Sequence, residues 1–125
     1  MVTAVPIISR AKPSLLRSGT YFLAESLEGE ILGAGGWTPH RVRQGVAEIR
    51  HVVTDHRHQR VGIGRALLEQ VIKSTRRAGI QRLDCLATRT AEGFYQSLGF
   101  TSMGPIDIEL RPGIHFPAIH MHLHL

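Results

Sequence analysis

A single cysteine, Cys85, stands in the chain, so no internal disulfide can form and no second thiol is available to share a metal. It lies in the largely apolar run from Leu83 to Ala87 and reads as a small core residue rather than a nucleophile. Aromatic residues are scarce at 6%, and none is interleaved with a basic strip of the kind that tracks a nucleic acid. No apolar run approaches the ~20 residues needed to cross a bilayer. The opening Met1 to Ile8 is apolar but has no basic leader and is cut short by Arg10 and Lys12, which argues against a secretory signal and predicts a cytoplasmic protein. Two nucleotide-binding fingerprints are also missing. There is no Gly-x-x-x-x-Gly-Lys-Ser/Thr loop, and Leu67 occupies the third glycine position of a dinucleotide motif.

What is present fits one ordinary core. The 125 residues suffice for a single domain, residues 1–125, and the 42% hydrophobic content is that of a globular protein. A formal charge of +5 favours a polyanionic partner: nucleic acid, an anionic membrane surface or a phosphorylated cofactor. Charge alone does not choose among them.

Periodicity predicts a short helix within Ile7 to Arg17, interrupted by Pro13, and then a hairpin of Tyr21 to Ser26 and Ile31 to Trp37 with Gly29 in its turn. Gly33, Gly35 and Gly36 in the second strand suggest a bulge or a close approach. Val46 to Thr54 alternates as a strand. The period then changes: Ala66, Leu67, Leu68, Val71, Ile72 and Thr75 make a helical stripe that Gly79 ends. Arg82 to Thr88 reads as a buried strand, and Ala91 to Leu98 as a helix with Thr90 as a possible cap and Gly99 as terminator. Two strands, Thr101 to Leu110 and His115 to His124, close the chain around Arg111-Pro112-Gly113. The fold class is mixed α+β.

Between a predicted strand and a predicted helix, Gly62 and Gly64 let backbone N–H groups approach an anion at the positive end of the helix dipole. The segment Gln59-Arg60-Val61-Gly62-Ile63-Gly64 there resembles the Gln/Arg-x-x-Gly-x-Gly/Ala signature of the GNAT superfamily of acyl-CoA N-acyltransferases. A second segment, Ala91 to Phe100, resembles that family's later helix with its Phe-Tyr and Leu-Gly-Phe pattern. The resemblance runs from about Tyr21 to the C-terminus and implies a mostly antiparallel central sheet flanked by helices, with acetyl-CoA as acyl donor and no metal.

The resemblance also implies roles. Val52, Val53 and Thr54 would lie along the pantetheine arm, the Val53 N–H would polarise the thioester carbonyl, and amides from Arg60 to Arg65 would meet the diphosphate, with the arginine side chains adding diffuse positive charge. Thr88 and Phe94 fall at further cofactor-contacting positions, and Thr88 stands where relatives often carry asparagine. Tyr95 matches the tyrosine often placed to protonate the leaving thiolate, though it shares an apolar stripe with Ala91 and Leu98 and could be core. Glu48, 11 residues before Gln59, is placed like the catalytic glutamate of the histone-acetylating branch; the alternatives are a water relay as base, or a simple ion pair with Arg50.

Only about twenty residues precede Tyr21, so at least one strand and most of one helix of the family's usual start are expected to be lost, which suggests a homodimer. His120, His122 and His124 share one strand face. With Ile119, Met121, Leu123 and Leu125 opposite, they read as the polar side of a half-buried edge strand rather than a metal site. His56 and His58 read as surface residues or weak phosphate partners. The expected activity is direct acetyl transfer to a small-molecule or peptide primary amine, with neither nucleic acid nor membrane as partner. A non-catalytic acyl-CoA-binding module and a basic nucleic-acid-associated protein are the alternatives.

Overall fold

The computed structural model describes residues 7–10, 20–55 and 62–125. Seven strands form one sheet in the order β1-β2-β3-β4-β5-β7-β6: β1 Ile7–Arg10, β2 Thr20–Glu25, β3 Ile31–Pro39, β4 Val46–Thr54, β5 Arg82–Ala87, β6 Thr101–Arg111 and β7 Ile114–His124. Helix α1, Ile63–Arg77, connects β4 to β5, and a 3-10 turn, Arg89–Ala91, leads into the short helix α2, Glu92–Ser97. Every neighbouring pair is antiparallel except β4 and β5, which α1 connects. The architecture is the mixed α+β sheet with flanking helices that the sequence implies.

Three expectations need correction. Of the helix expected over Ile7 to Arg17, Ile7–Arg10 is instead a strand that pairs with β2, Ile7 opposite Glu25 and Arg10 opposite Phe22, and the remainder lies outside the described residues. The β-branched pair Ile7 and Ile8 suits a pleated edge better than a helical turn broken by Pro13. A strand therefore does precede the hairpin. β7 is an interior strand, not an edge, because β6 folds back along its outer side. Thr90 caps nothing: its hydroxyl lies 3.2 Å from that of Thr88, and neither the 3-10 turn nor α2 has a side-chain cap.

The core forms where α1 lies on the sheet. Ile63, Leu67, Leu68, Val71 and Thr75 are its buried stripe, packed with Phe22, Leu32, Ala47, Leu83 and Met121. Thr75 is tolerated there because its hydroxyl donates to the carbonyls of Val71 and Ile72. Trp37 Nε1 donates to Ser74 Oγ at 3.0 Å, tying β3 to the outer side of α1.

The glycines of β3 mark close approaches. A Cβ on Gly36 would lie 2.2 Å from the Thr20 carbonyl oxygen and 2.7 Å from the Tyr21 ring; one on Gly33 would lie 3.0 Å from Ile63 and from the Val53 carbonyl. The register also slips here. Gly36 faces Arg50 and Ala34 faces Val53, so two steps along β3 match three along β4. The extra residue is a bulge in β4 around His51 and Val52.

Cys85 and Tyr95 share the core. Burial, with Asp84 adjacent, pushes the Cys85 thiol up to about 12, and burial, with Cys85 adjacent, pushes the Tyr95 phenol up to about 12. Both groups stay protonated at neutral pH.

The contact at Gly36 predicts that Gly36→Ala lowers stability by several kcal/mol. Gly93, helical and with open space where a Cβ would go, predicts that Gly93→Ala gains up to about 1 kcal/mol. Urea midpoints of the two variants check both. A second expectation concerns alkali. Each raised pKa favours the folded state fully below the ordinary value, 9.0 for the thiol and 10.0 for the phenol, and that contribution is lost as pH rises towards about 12. Stability should therefore fall above pH ~9, by on the order of 3 kcal/mol for each group. The double variant Cys85→Ala/Tyr95→Phe should show a shallower fall, read from melting curves across that range.

Candidate active site

The site is a consequence of how far β4 and β5 stay together. They pair only at Val46, Ala47 and Glu48, opposite Arg82, Leu83 and Asp84, and part beyond that point. β5 meanwhile remains paired with β7 along its whole length, Arg82–Ala87. Past Glu48 the edge of β4 thus turns away from its neighbour, carrying Val52, Val53 and Thr54 along one side of an open wedge. Val52 is half-buried, while Val53 and Thr54 are exposed.

The far end of the wedge meets the start of α1. The helix has no side-chain cap and no acidic residue in its first turn, and basic Arg76 and Arg77 lie in its last. Its first amides are therefore left to an anion, with the dipole reinforcing the attraction. Gly62 begins the helix at φ 83°, a left-handed conformation that a Cβ would strain. Gly64 is needed for space: a Cβ there would lie 3.3 Å from Phe94 Cζ and 3.8 Å from Thr54 Cγ2. Phe94, Thr54 and Gly64 are thus brought together. Ile63 is buried in the core and contributes its backbone only. Thr88 is exposed at the end of β5. Gln59, Arg60 and Val61, with His56 and His58, lie outside the described residues.

The Arg65 guanidinium donates to Ser97 Oγ at 2.9 Å and lies 3.8 Å from Glu69, and Ser97 in turn donates to the Phe94 carbonyl. The side chain links α2 to α1 while remaining half exposed, and its backbone amide lies in the first turn of the helix.

Tyr95 is 8% exposed, its ring edge-on to Phe94 and to Phe100. The residue is both core and candidate: packing fixes the ring, and burial keeps its phenol protonated.

Glu48 is the last residue of β4 before the strands part. Its carboxylate lies 3.3 Å from Arg50 Nη2 and 4.0 Å from His40 Nε2. Arg50 is itself held by donating from Nε to Thr38 Oγ1, and His40 Nδ1 accepts from the backbone N–H groups of Val42 and Arg43. With Nδ1 accepting, the ring proton sits on Nε2, facing Glu48. The ion pair with Arg50 is thus formed, and the Glu48 side chain remains 30% exposed beside a cleft of about 450 Å³. Asp84, Arg82 and His120 form the opposite wall, with Asp84 bound bidentately by Arg82 at 2.8 and 3.0 Å. These three carry no sequence motif; only the register that sets Asp84 against Glu48 reveals them.

The histidines of β7 pack mainly against their own strand neighbours. His120, His122 and His124 contact one another ring to ring, His115 pairs instead with Asp107, and no cluster of three or more metal-binding side chains occurs among the described residues. No helix among the described residues is long and apolar enough to cross a membrane.

Comparisons with known proteins match this geometry. The acetyltransferase (GNAT) domain family model matches residues 6–124. Among solved structures, an IAA acetyltransferase from Bacillus cereus superposes with a TM-score of 0.78 at 19% identity, covering 97% of this chain and 100% of that one. An acetyltransferase from Bacillus subtilis, solved in complex with CoA, superposes at 0.77 and 16% identity, covering 97% and 99%. A ribosomal-protein-alanine N-acetyltransferase from Brucella melitensis gives 0.73 at 23%, covering 86% and 69%. At such identities these likenesses establish the fold. No curated protein matches the chain. The parted strands, the uncapped glycine-rich helix start and the match along nearly the whole chain lead to one conclusion: the protein belongs to the GNAT acetyltransferase family.

Proposed function

We propose that the chain is an N-acetyltransferase that moves an acetyl group from acetyl-CoA to a primary amine by direct attack. One observation carries this reading: the edge of β4 released beyond Glu48 leads to a helix start whose first amides have no side-chain cap. A donor with a linear amide-bearing arm and a diphosphate matches both halves, the arm along Val52, Val53 and Thr54 and the diphosphate at Gly62 to Arg65; the motif residues Gln59, Arg60 and Val61 are assigned to the same diphosphate by the family resemblance. Phe94 stands beside the helix end of that path, and Thr88, exposed just after β5, is assigned to the donor by the resemblance.

In the reaction the amine nitrogen bonds to the thioester carbonyl carbon, the carbon–sulfur bond breaks, and the departing thiolate takes up a proton. The Val53 N–H polarises the carbonyl as charge develops on its oxygen. Glu48, directly or through a water, receives the proton that the amine loses. Tyr95 supplies the proton, or the hydrogen bond, that stabilises the sulfur. With its phenol held at about 12, it is in the donor form at any working pH. The buried Cys85 thiol, also held near about 12, is a poor nucleophile, which supports a route without an enzyme-bound acyl group.

A homodimer belongs to this reading. Its support is the outer part of the β6–β7 ribbon, beyond the register that β7 shares with β5, where Ile106, Leu110, Ile114 and Phe116 are exposed. Light scattering that finds a fully active monomer removes it.

Calorimetry should give acetyl-CoA binding, and a thiol-release assay over an amine panel should give turnover. Binding without turnover for any amine identifies a non-catalytic module, whereas no affinity for acetyl-CoA overturns the proposal. Tyr95→Phe should lower kcat by roughly 10²-fold while acetyl-CoA affinity stays within a few-fold. Because the donor form is lost only as pH rises towards about 12, the wild-type rate should show no descending limb from this group below pH ~11. A Tyr95→Phe variant within threefold of wild-type kcat excludes the donor role.

A further inference from the structure

The cleft beside Glu48 has a charge pattern that bears on its acceptor, and the inference rests on the transferase reading above. Five of its charged residues fall into two settled pairs and one remainder. Glu48 is paired with Arg50, and Asp84 is gripped by Arg82. Arg43, from the loop between β3 and β4, also lines the cleft, is exposed, and has no carboxylate partner among the described residues. Its backbone is nonetheless held, because its N–H donates to His40 Nδ1 at 2.9 Å.

Two neutralised pairs and one spare guanidinium give the cleft a surplus of one positive charge, before any protonation of His40 or His120. A bare cationic amine would enter against that surplus. An amine that brings its own anion would instead satisfy it, since a guanidinium binds a carboxylate or phosphate through paired N–H groups. The volume of about 450 Å³ is in the range of small-molecule sites, and exposed Leu86 and half-buried Ile49 provide an apolar wall for a short carbon skeleton.

We propose that the acceptor is a small amine that carries an anionic group, carboxylate or phosphate, held by Arg43 while the amine faces Glu48. Recognition of this kind places the specificity of the enzyme in a loop residue that no motif marks.

The test uses the full chain and matched acceptors: amino acids, the amines that correspond to them without the carboxylate, and aminoalkyl phosphates of similar length. After acetyl-CoA binding is verified by calorimetry, kcat/KM is measured for each. The anionic members should be favoured by about tenfold or more, ~1.4 kcal/mol, and the better of the carboxylate and phosphate sets identifies the anion. In Arg43→Gln that ratio should fall below about threefold, and Arg43→Lys should recover part of it. Arg111→Gln, at the exposed turn of the β6–β7 hairpin, should keep the wild-type ratio. Circular-dichroism melts verify that each variant is folded. A preference for uncharged-tail amines or lysine peptides, or an unchanged ratio in Arg43→Gln, overturns the proposal while leaving the transferase intact. Absent acetyl-CoA binding overturns both.

Discussion

Everything functional in this fold depends on one extra residue in β4. Between Arg50 and Val53 the strand spends three residues where β3 spends two. A bulge sharpens local twist and bends the strand that carries it. The same strand keeps only three residues in register with β5 before the two diverge. Had the ladder continued, the main-chain groups near Val52 to Thr54 would be consumed by β5, and an extended ligand arm would have no strand edge to join. Parallel pairing makes the parting easier to hold open, because β4 and β5 are tied through α1 rather than by a tight turn.

Glycines allow the neighbouring elements to follow this bend, each for its own reason. Gly36 and Gly33 let β3 pass close to β2, α1 and the bulged strand, where any side chain would collide with backbone or ring atoms. Gly62 supplies a backbone conformation, and Gly64 supplies room for Phe94. Arg65 then fastens α2 to α1 through Ser97. The start of α1 is thereby fixed relative to Tyr95 by packing on one side and a hydrogen bond on the other. Such rigidity is what an anion site made of backbone amides requires, since it has no flexible side chains with which to adjust.

Much of this was legible from residue pattern because it is local. The α1 stripe, the hairpin around Gly29, and the glycine pair before a helix each express a period or a backbone requirement confined to a short segment. Strand β1 has no legible signature because Ile7 to Arg10 is too short for either period to show, and its state is decided by pairing with β2. The interior place of β7 is illegible for a related reason: alternation reveals one polar face but not whether another strand lies alongside. The side chains facing Glu48 could not be foreseen at all. Asp84 and His120 are brought there by the β4–β5 and β5–β7 registers, which join segments distant in the chain. The sequence neighbours of Arg65 favour an anion, whereas its side-chain contact with Ser97 is set by the position of α2 and has no local signature.

The β4–β5 register also explains a tension at the cleft. It sets Glu48 directly across from Asp84, and like charges opposed on one sheet face are destabilising. The chain offsets this with an arginine two residues away on each strand and the same face, Arg50 for Glu48 and Arg82 for Asp84. A sheet selected for stability alone would more simply carry one acid and one base across the gap. Two carboxylates kept in place with two dedicated counterions, at the point where the strands open, are better explained by a need for a carboxylate there than by any gain in folding free energy. Asp84, at 14% side-chain exposure and doubly bound, is the less available of the two. Glu48, more open and held by a single arginine contact and a distant imidazole, is the more available of the two, which is why the proposed reaction assigns the proton transfer to it.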